Sequence, residues 1–495
     1  MFRLVFISFV ILLSAACSEE DQDTIKFGLS TAPVTLDPRY ATDAVSHRIN
    51  RLLYRRLVDF NEHYQMIPQL ANWEQISPEL YRFRLGSEGR QFHNGDYLMA
   101  DDVKATYESV LDQKNISPHR ATLINIKDIV VIDQDTVDFH LNDVDPLFPG
   151  RLVIGIIPAK LIRDGHSFQK LPVGSGGMEF LEWPVEDHLY LKRRDDQAIF
   201  EFITVKDSTV RALKLVRGEI DLVQGDLPFE LMDWLGDKKD IVIEKKQGST
   251  YTYIGFNMHD AALSNLNIRM AIAHAIDSDA IIKNVLGNAA RKAGTMLPFE
   301  HWATNQALEG YEYDPDRSKE LLRRAGYGDG NRLKLSYKTS SNPLRVRLAT
   351  IIQYQLQQVG IDVDVQSYDW GTFYGDIKDG RFQMYSLSWV GLNMPDIFRY
   401  VFHSSSIPPA GANRGRYSDP VVDGLIEKAE NTIDPEEQAV IYRDLQYLIH
   451  QQLPYVPLWY EDNILARRSS IRGYRLSPDG DYDGLLNAKR VLDDE

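Results

Sequence analysis

The sequence predicts an α/β protein built from more than one lobe, and three observations carry that expectation. At 495 residues the chain exceeds what a single hydrophobic core usually organises. Its 43% hydrophobic and 25% charged residues are those of a globular chain with ample apolar material to bury. Most directly, in residues 333–367 a strand period gives way to a helical one and then returns, the pattern of a β-α-β unit and hence of a sheet covered by helices.

Taken in order, the chain starts with Arg3, an apolar run from Leu4 to Leu13, the small residues Ser14, Ala15 and Ala16, and then Cys17. The run is too short to cross a hydrocarbon core of about 30 Å, so it reads as an export signal. Cys17 is the only cysteine. It can form no internal disulfide, and an exported free thiol is open to oxidation, which leaves acylation as the physical alternative. Residues 13–17 resemble a bacterial lipobox, with Ser14 three before the cysteine and Leu13 one step earlier than usual. Processing there would make residues 1–17 the signal peptide, Cys17 the lipidated N-terminus, and the acidic stretch 18–24 a tether that buries too little to fold. The protein is then expected on the periplasmic or cell-surface side, held to the membrane by lipid alone.

The folded body should begin near Ile25. Ile25, Phe27 and Leu29 alternate with Lys26 and Gly28 as a half-buried strand, which leads into the loop from Ser30 to Pro38. Asn94-Gly95 reads as the tip of a turn, and Ala100-Asp101-Asp102-Val103 as a helix start with carboxylates near the positive end of the dipole. Helical spacing recurs from Asn267 to Ile276, after which Asp277 caps a further helix ending before Gly287. Within the β-α-β unit, Leu333, Leu335 and Tyr337 alternate; Leu344, Leu348, Ile351, Ile352, Leu356 and Val359 recur at helical spacing; and Gly360 stops the helix before Ile361, Val363 and Val365. Glycines around Tyr327 and the segment from Pro408 to Gly411 mark exposed connections.

Several function classes are disfavoured. A net charge of −16 with no basic stripe argues against nucleic acid. The 12 histidines are scattered, none within a helical turn of another, so no local metal-ligand pair exists. No nucleophile elbow, phosphate-cradling glycine loop or dinucleotide fingerprint is present, so neither catalysis nor a cofactor or metal is expected.

Nine segments in order then carry a resemblance: Leu36-Asp37-Pro38, Pro68 to Trp73, Phe92 to Asp96, Ala100 to Val103, Pro172 to Gly176, Gly218 to Asp221, Ile254 to Asn257, Arg269 to Asp277 and Gly360 to Val363. Together they resemble the bacterial extracellular solute-binding proteins of family 5, the oligopeptide-, dipeptide- and nickel-binding components of ABC importers. The resemblance implies a two-lobed flytrap of the periplasmic-binding-protein type with an extra inserted domain. By analogy, residues 25–48, 170–250 and 470–495 form lobe one, 49–169 the insertion and 251–469 lobe two. It further implies a monomer that captures a peptide or peptide-like solute between the lobes and passes it to an ABC permease and ATPase. Binding or sensing of a sugar, opine or metal chelate is the alternative, with hydrolysis a remote third.

The same resemblance directs attention to Ser388 through Asp396. In the family, a Trp followed by Gly and acidic residues lies in the cleft, where the ring stacks on ligand and an Asp takes the ammonium of a peptide. Here Trp389 and Gly391 match, Val390 lies between them, and Leu392 stands where that Asp would be, in a stretch one residue shorter. A buried ammonium without a carboxylate costs several kcal/mol. Asp396 is therefore the replacement to consider; otherwise the ligand is N-blocked, cyclic or not a peptide. Asn393 in this stretch, Tyr251, Tyr253 and Asn257 at the expected hinge, and Thr31 after the first strand complete the expected ligand-binding set. Arg269 is expected as a structural donor. The donor-rich segments Phe402 to Ser406 and Asn413 to Tyr417 read equally as a grip on ligand or as loops.

Overall fold

The computed structural model describes residues 24–328 and 330–491. The expected signal peptide and Cys17 lie outside the described residues, as does the tether up to Asp23.

The β-α-β unit forms as its periodicities require. Strands Leu333–Ser340 and Ile361–Tyr368 pair in parallel, with Leu333 opposite Ile361. Helix Pro343–Val359 joins them; the Asn342 side chain accepts from the amides of Leu344 and Arg345, and Gly360 closes the helix at φ 102°. Leu348, Ile352, Leu356 and Val359 form the buried stripe of that helix.

The unit belongs to an 11-stranded sheet. One flank holds Ile361–Tyr368, Leu333–Ser340 and Met384–Trp389. The other holds Leu222–Gln224, Ile25–Leu29, Ile199–Thr204, His188–Arg193 and Met178–Val185. Between them run two long antiparallel strands, Ile241–Phe256 and Tyr455–Arg468, and Ala290–Lys292 pairs beside the second. Their register breaks between Lys246 and Thr250: Ile241 to Lys246 lie opposite Arg468 to Asn463, whereas Thr250 to Gly255 lie opposite Glu461 to Tyr455. The break divides one sheet between two lobes. The chain therefore crosses at residues 247–249 and again at Asp462.

Each lobe has its own core. Lobe one packs Phe27, Phe200, Phe202, Leu222 and Leu465. Lobe two packs Ile254, Leu335, Leu356 and Trp459 on one side of the sheet, and a tyrosine-rich cluster with Phe398, Phe402 and Tyr442 forms a further core. The strand Ile25–Leu29 is more enclosed than the half-buried reading allowed, because it pairs in parallel with a neighbour on each side, Phe27 lying opposite both Phe202 and Leu222.

A separate core spans Leu57 to Ile156. Its sheet runs Ala71–Ser77, Leu80–Leu85, Thr136–Leu141, Ile126–Val131, and helix Ala100–Leu111 packs on it through Val103, Tyr107 and Val110. Asp102 accepts from the Met99 amide at the start of that helix, 2.8 Å away. Helix Ala44–Leu53 turns Val45, Ile49, Leu52 and Leu53 into lobe one, and Ile157 and Phe168 join the same core. Helices Leu266–Ala275 and Ser278–Asn284 flank Asp277, which caps the second. Among the described residues no helix is long and apolar enough to cross a membrane.

Candidate functional site

Strand direction locates the cleft. In lobe two the parallel strands end at Ser340, Tyr368 and Trp389, and Trp389 lies opposite Tyr251 beside the register break. In lobe one the parallel strands end at Leu29, Thr204 and Gln224, and Gln224 lies opposite Leu465 near the same break. The carboxyl edges of both halves thus face the hinge, and that edge is where an open α/β sheet leaves loops for a ligand. Exposed Thr31 sits on one edge and residues 389–396 on the other.

Several contacts join the two sides. Arg151, in the 3-10 turn Phe148–Arg151 of the inserted unit, reaches Asp396 of lobe two at 2.7 Å and Asp145 at 2.6 Å. Tyr64 of the inserted unit stacks on His301 of lobe two, ring centroids 5.3 Å apart. The turn and the 389–396 segment approach so closely that a Cβ on Gly150 would lie 2.4 Å from Met394 Sδ. Arg347 of helix Pro343–Val359 pairs with Glu230 of helix Phe229–Gly236, lobe to lobe. At the crossing itself Arg345 meets Glu461 at 2.8 Å, and Glu461 accepts from Thr252. Burial opposes ionisation of Glu461, but these partners outweigh it and hold the carboxyl below its ordinary range.

The expected site residues are placed differently from one another. Val390 is 53% exposed, and Gly391 adopts φ 69°, which a side chain would strain. Asn393 turns its carbonyl towards His301 Nε2, 3.3 Å away. Tyr251 and Tyr253 are buried and stack on each other at 5.6 Å, Tyr253 stacking further on Tyr455 at 4.1 Å, so they form the floor beneath the edge. Asn257 is committed to the fold: its amide donates to the carbonyls of Gly380 and Phe382 and its oxygen accepts from His259. Leu392 is buried, and Asp396, the acid weighed as a partner for a ligand ammonium, is engaged by Arg151 instead. Arg269 is structural as expected, donating to the carbonyls of Leu263, Ser264, Gln452 and Leu453.

Trp389 has a neighbour that spacing could not reveal. Arg414, buried, lies 4.8 Å over its ring and 5.3 Å over that of Tyr374. Arg151, Glu461 and His301 were likewise missed, since each acts through a partner far away in sequence. Among the described residues no group of three or more His, Cys, Asp or Glu is placed to hold a metal ion.

Comparison with known proteins agrees with this architecture. Heme-binding protein A of Haemophilus influenzae is 27% identical over 94% of this chain and 91% of its own length. Di/tripeptide-binding protein 1 of Pseudomonas aeruginosa is 26% identical over 94% of each. The periplasmic binding protein DppA of Helicobacter pylori, solved with the peptide STSA, superposes with a TM-score of 0.78 at 27% identity, covering 96% of this chain and 100% of its own. The family described as bacterial extracellular solute-binding proteins, family 5 middle, matches residues 65–407. This chain, with its two lobes hinged on a pair of shared strands, belongs to the family 5 bacterial extracellular solute-binding proteins.

Proposed function

We propose that the protein captures a peptide or peptide-like solute between its lobes and presents it to the permease and ATPase of an ABC importer, working as a monomer. The observation that carries the reading is the set of contacts joining the cleft's two sides, Arg151 to Asp396 and Tyr64 to His301, arranged about a hinge of only two crossings. A ligand that touches both edges favours the closed arrangement and shifts the equilibrium towards it. The peptide class draws support from the relatives named for di- and tripeptides over nearly their whole length.

In this reading Thr31 on lobe one and Trp389, Val390, Gly391 and Asn393 on lobe two meet the solute, Tyr251 and Tyr253 support them from below, and Asn257 holds the strand end. Asp396 serves closure. Residues 25–54, about 157–246 and 463–491 make lobe one, 55–156 the insertion and about 250–461 lobe two. Lipidated Cys17 tethers the protein outside the cytoplasm.

Native mass spectrometry of the full chain purified from its own cells tests this directly. A retained mass that fragments as amino-acid residues supports the peptide reading, whereas a retained sugar or metal chelate overturns it and leaves solute capture intact. Small-angle scattering adds the conformational half, since an unchanged radius of gyration on ligand binding would sink the closing mechanism.

A further inference from the structure

We propose that the subsite at Trp389 takes an anionic group: the solute lodges a carboxylate against Arg414 and the Trp389 indole N–H, and its amine, if it has one, is blocked or lies elsewhere. The proposal deepens the peptide-capture reading and rests on it.

Arg414 is 6% exposed, and among the described residues its guanidinium donates only to two phenol oxygens, Tyr374 at 3.1 Å and Tyr253 at 3.4 Å. Among the described residues it forms no ion pair. Other buried arginines are better satisfied: Arg56, Arg90 and Arg193 pair with aspartates, while Arg211 and Arg269 each donate to three or more carbonyls. Tyr385 and Tyr455, which also face Arg414, do not neutralise it, because burial raises both well above their ordinary range and keeps them protonated. Trp389 supplies a second donor of the same kind, for its Nε1 is buried with no partner among the described residues. The buried cation, bonded only to phenol oxygens, lacks an anionic partner, and the buried indole N–H beside it lacks an acceptor; a carboxylate supplies both.

The converse holds for an ammonium. The acids near this strand end are already engaged: Asp396 by Arg151, Asp376 by Lys338 and Arg381, and Glu461 by Arg345, while position 392 is a buried leucine. A free α-amine placed here would meet a cation.

The test uses two dipeptide pools of matched side chains, one N-acetylated with a free carboxylate and the other C-amidated with a free amine, each offered to the full chain and read by native mass spectrometry and titration calorimetry. The acetylated pool should bind at least about 30-fold more tightly, and Arg414→Gln should cost it about 100-fold. Because Arg414 is buried, Trp389→Phe provides a second variant that keeps the ring, and it should cost the acetylated pool about tenfold with little change in thermal midpoint. Tighter binding of the amidated pool, or acetylated ligands indifferent to both substitutions, overturns the anionic subsite and leaves peptide capture standing. Binding of neither pool overturns both readings.

Discussion

His301 shows how one proton state can be written into a contact. The ring is 2% exposed; its Nδ1 accepts from the Ala303 amide at 3.1 Å, and its Nε2 faces the Asn393 carbonyl at 3.3 Å. One nitrogen must accept and the other donate, so only the neutral imidazole fits. Burial accordingly pulls its pKa down to about 3. An unfolded histidine titrates near pH 6.5. Between those values the unfolded chain binds a proton that the folded chain refuses, so stability is complete above about pH 6.5 and drains away as the pH falls towards 3. Two pH units of that window correspond to about 3 kcal/mol. His301→Gln keeps a donor and an acceptor without titrating. Urea unfolding at pH 7 and pH 4.5 should show the wild-type protein losing about 3 kcal/mol more than the variant; equal losses would reject the neutral-imidazole account.

At the scale of elements, the clearest test is Gly360, which ends helix Pro343–Val359 at φ 102°. Nothing lies within 4 Å of a Cβ built there, so Gly360→Ala isolates the backbone cost from any clash. That cost should be about 1 to 2 kcal/mol by chemical denaturation, and a neutral substitution would show that the left-handed cap carries no strain. This unit was legible in the sequence because each of its signals is local: a period of two, a period near 3.6 and a terminating glycine. Asp277 was legible for a similar reason, a capping side chain set just before its helix. The crossings at residues 247–249 and Asp462 were not, since a register break is a relation between two strands some two hundred residues apart and has no composition of its own. The stripe Val45, Ile49, Leu52 and Leu53 is present in the sequence, but the core it enters is set by partners far along the chain, such as Phe202 and Leu465. Trp389 was found by resemblance, while its partner Arg414 lay in a segment where polar residues alone could not separate a binding surface from a loop.

For the whole molecule, two ion pairs among the described residues join lobe two to the rest, and their surroundings decide which one governs opening. Arg347 and Glu230 are 48% and 57% exposed, so solvent screens their attraction and the side-chain ordering they require offsets most of it. Arg151 and Asp396 are 18% and 24% exposed and sit where the Phe148–Arg151 turn meets the 389–396 segment. Breaking that pair leaves Arg151 one remaining acid, Asp145, so the cost falls short of a fully orphaned buried charge and should be about 1.4 kcal/mol, a tenfold change in the ratio of open to closed forms. Asp396→Asn should therefore raise the unliganded radius of gyration measured by small-angle scattering. If closed protein is the form that holds ligand, apparent affinity should weaken by the same factor as the closed population falls. Glu230→Gln should change both quantities less than twofold. The two measurements constrain each other: a variant that loses affinity without opening would place Asp396 in contact with the solute, and a Glu230 variant that opens as far as the Asp396 variant would show that burial does not rank these contacts.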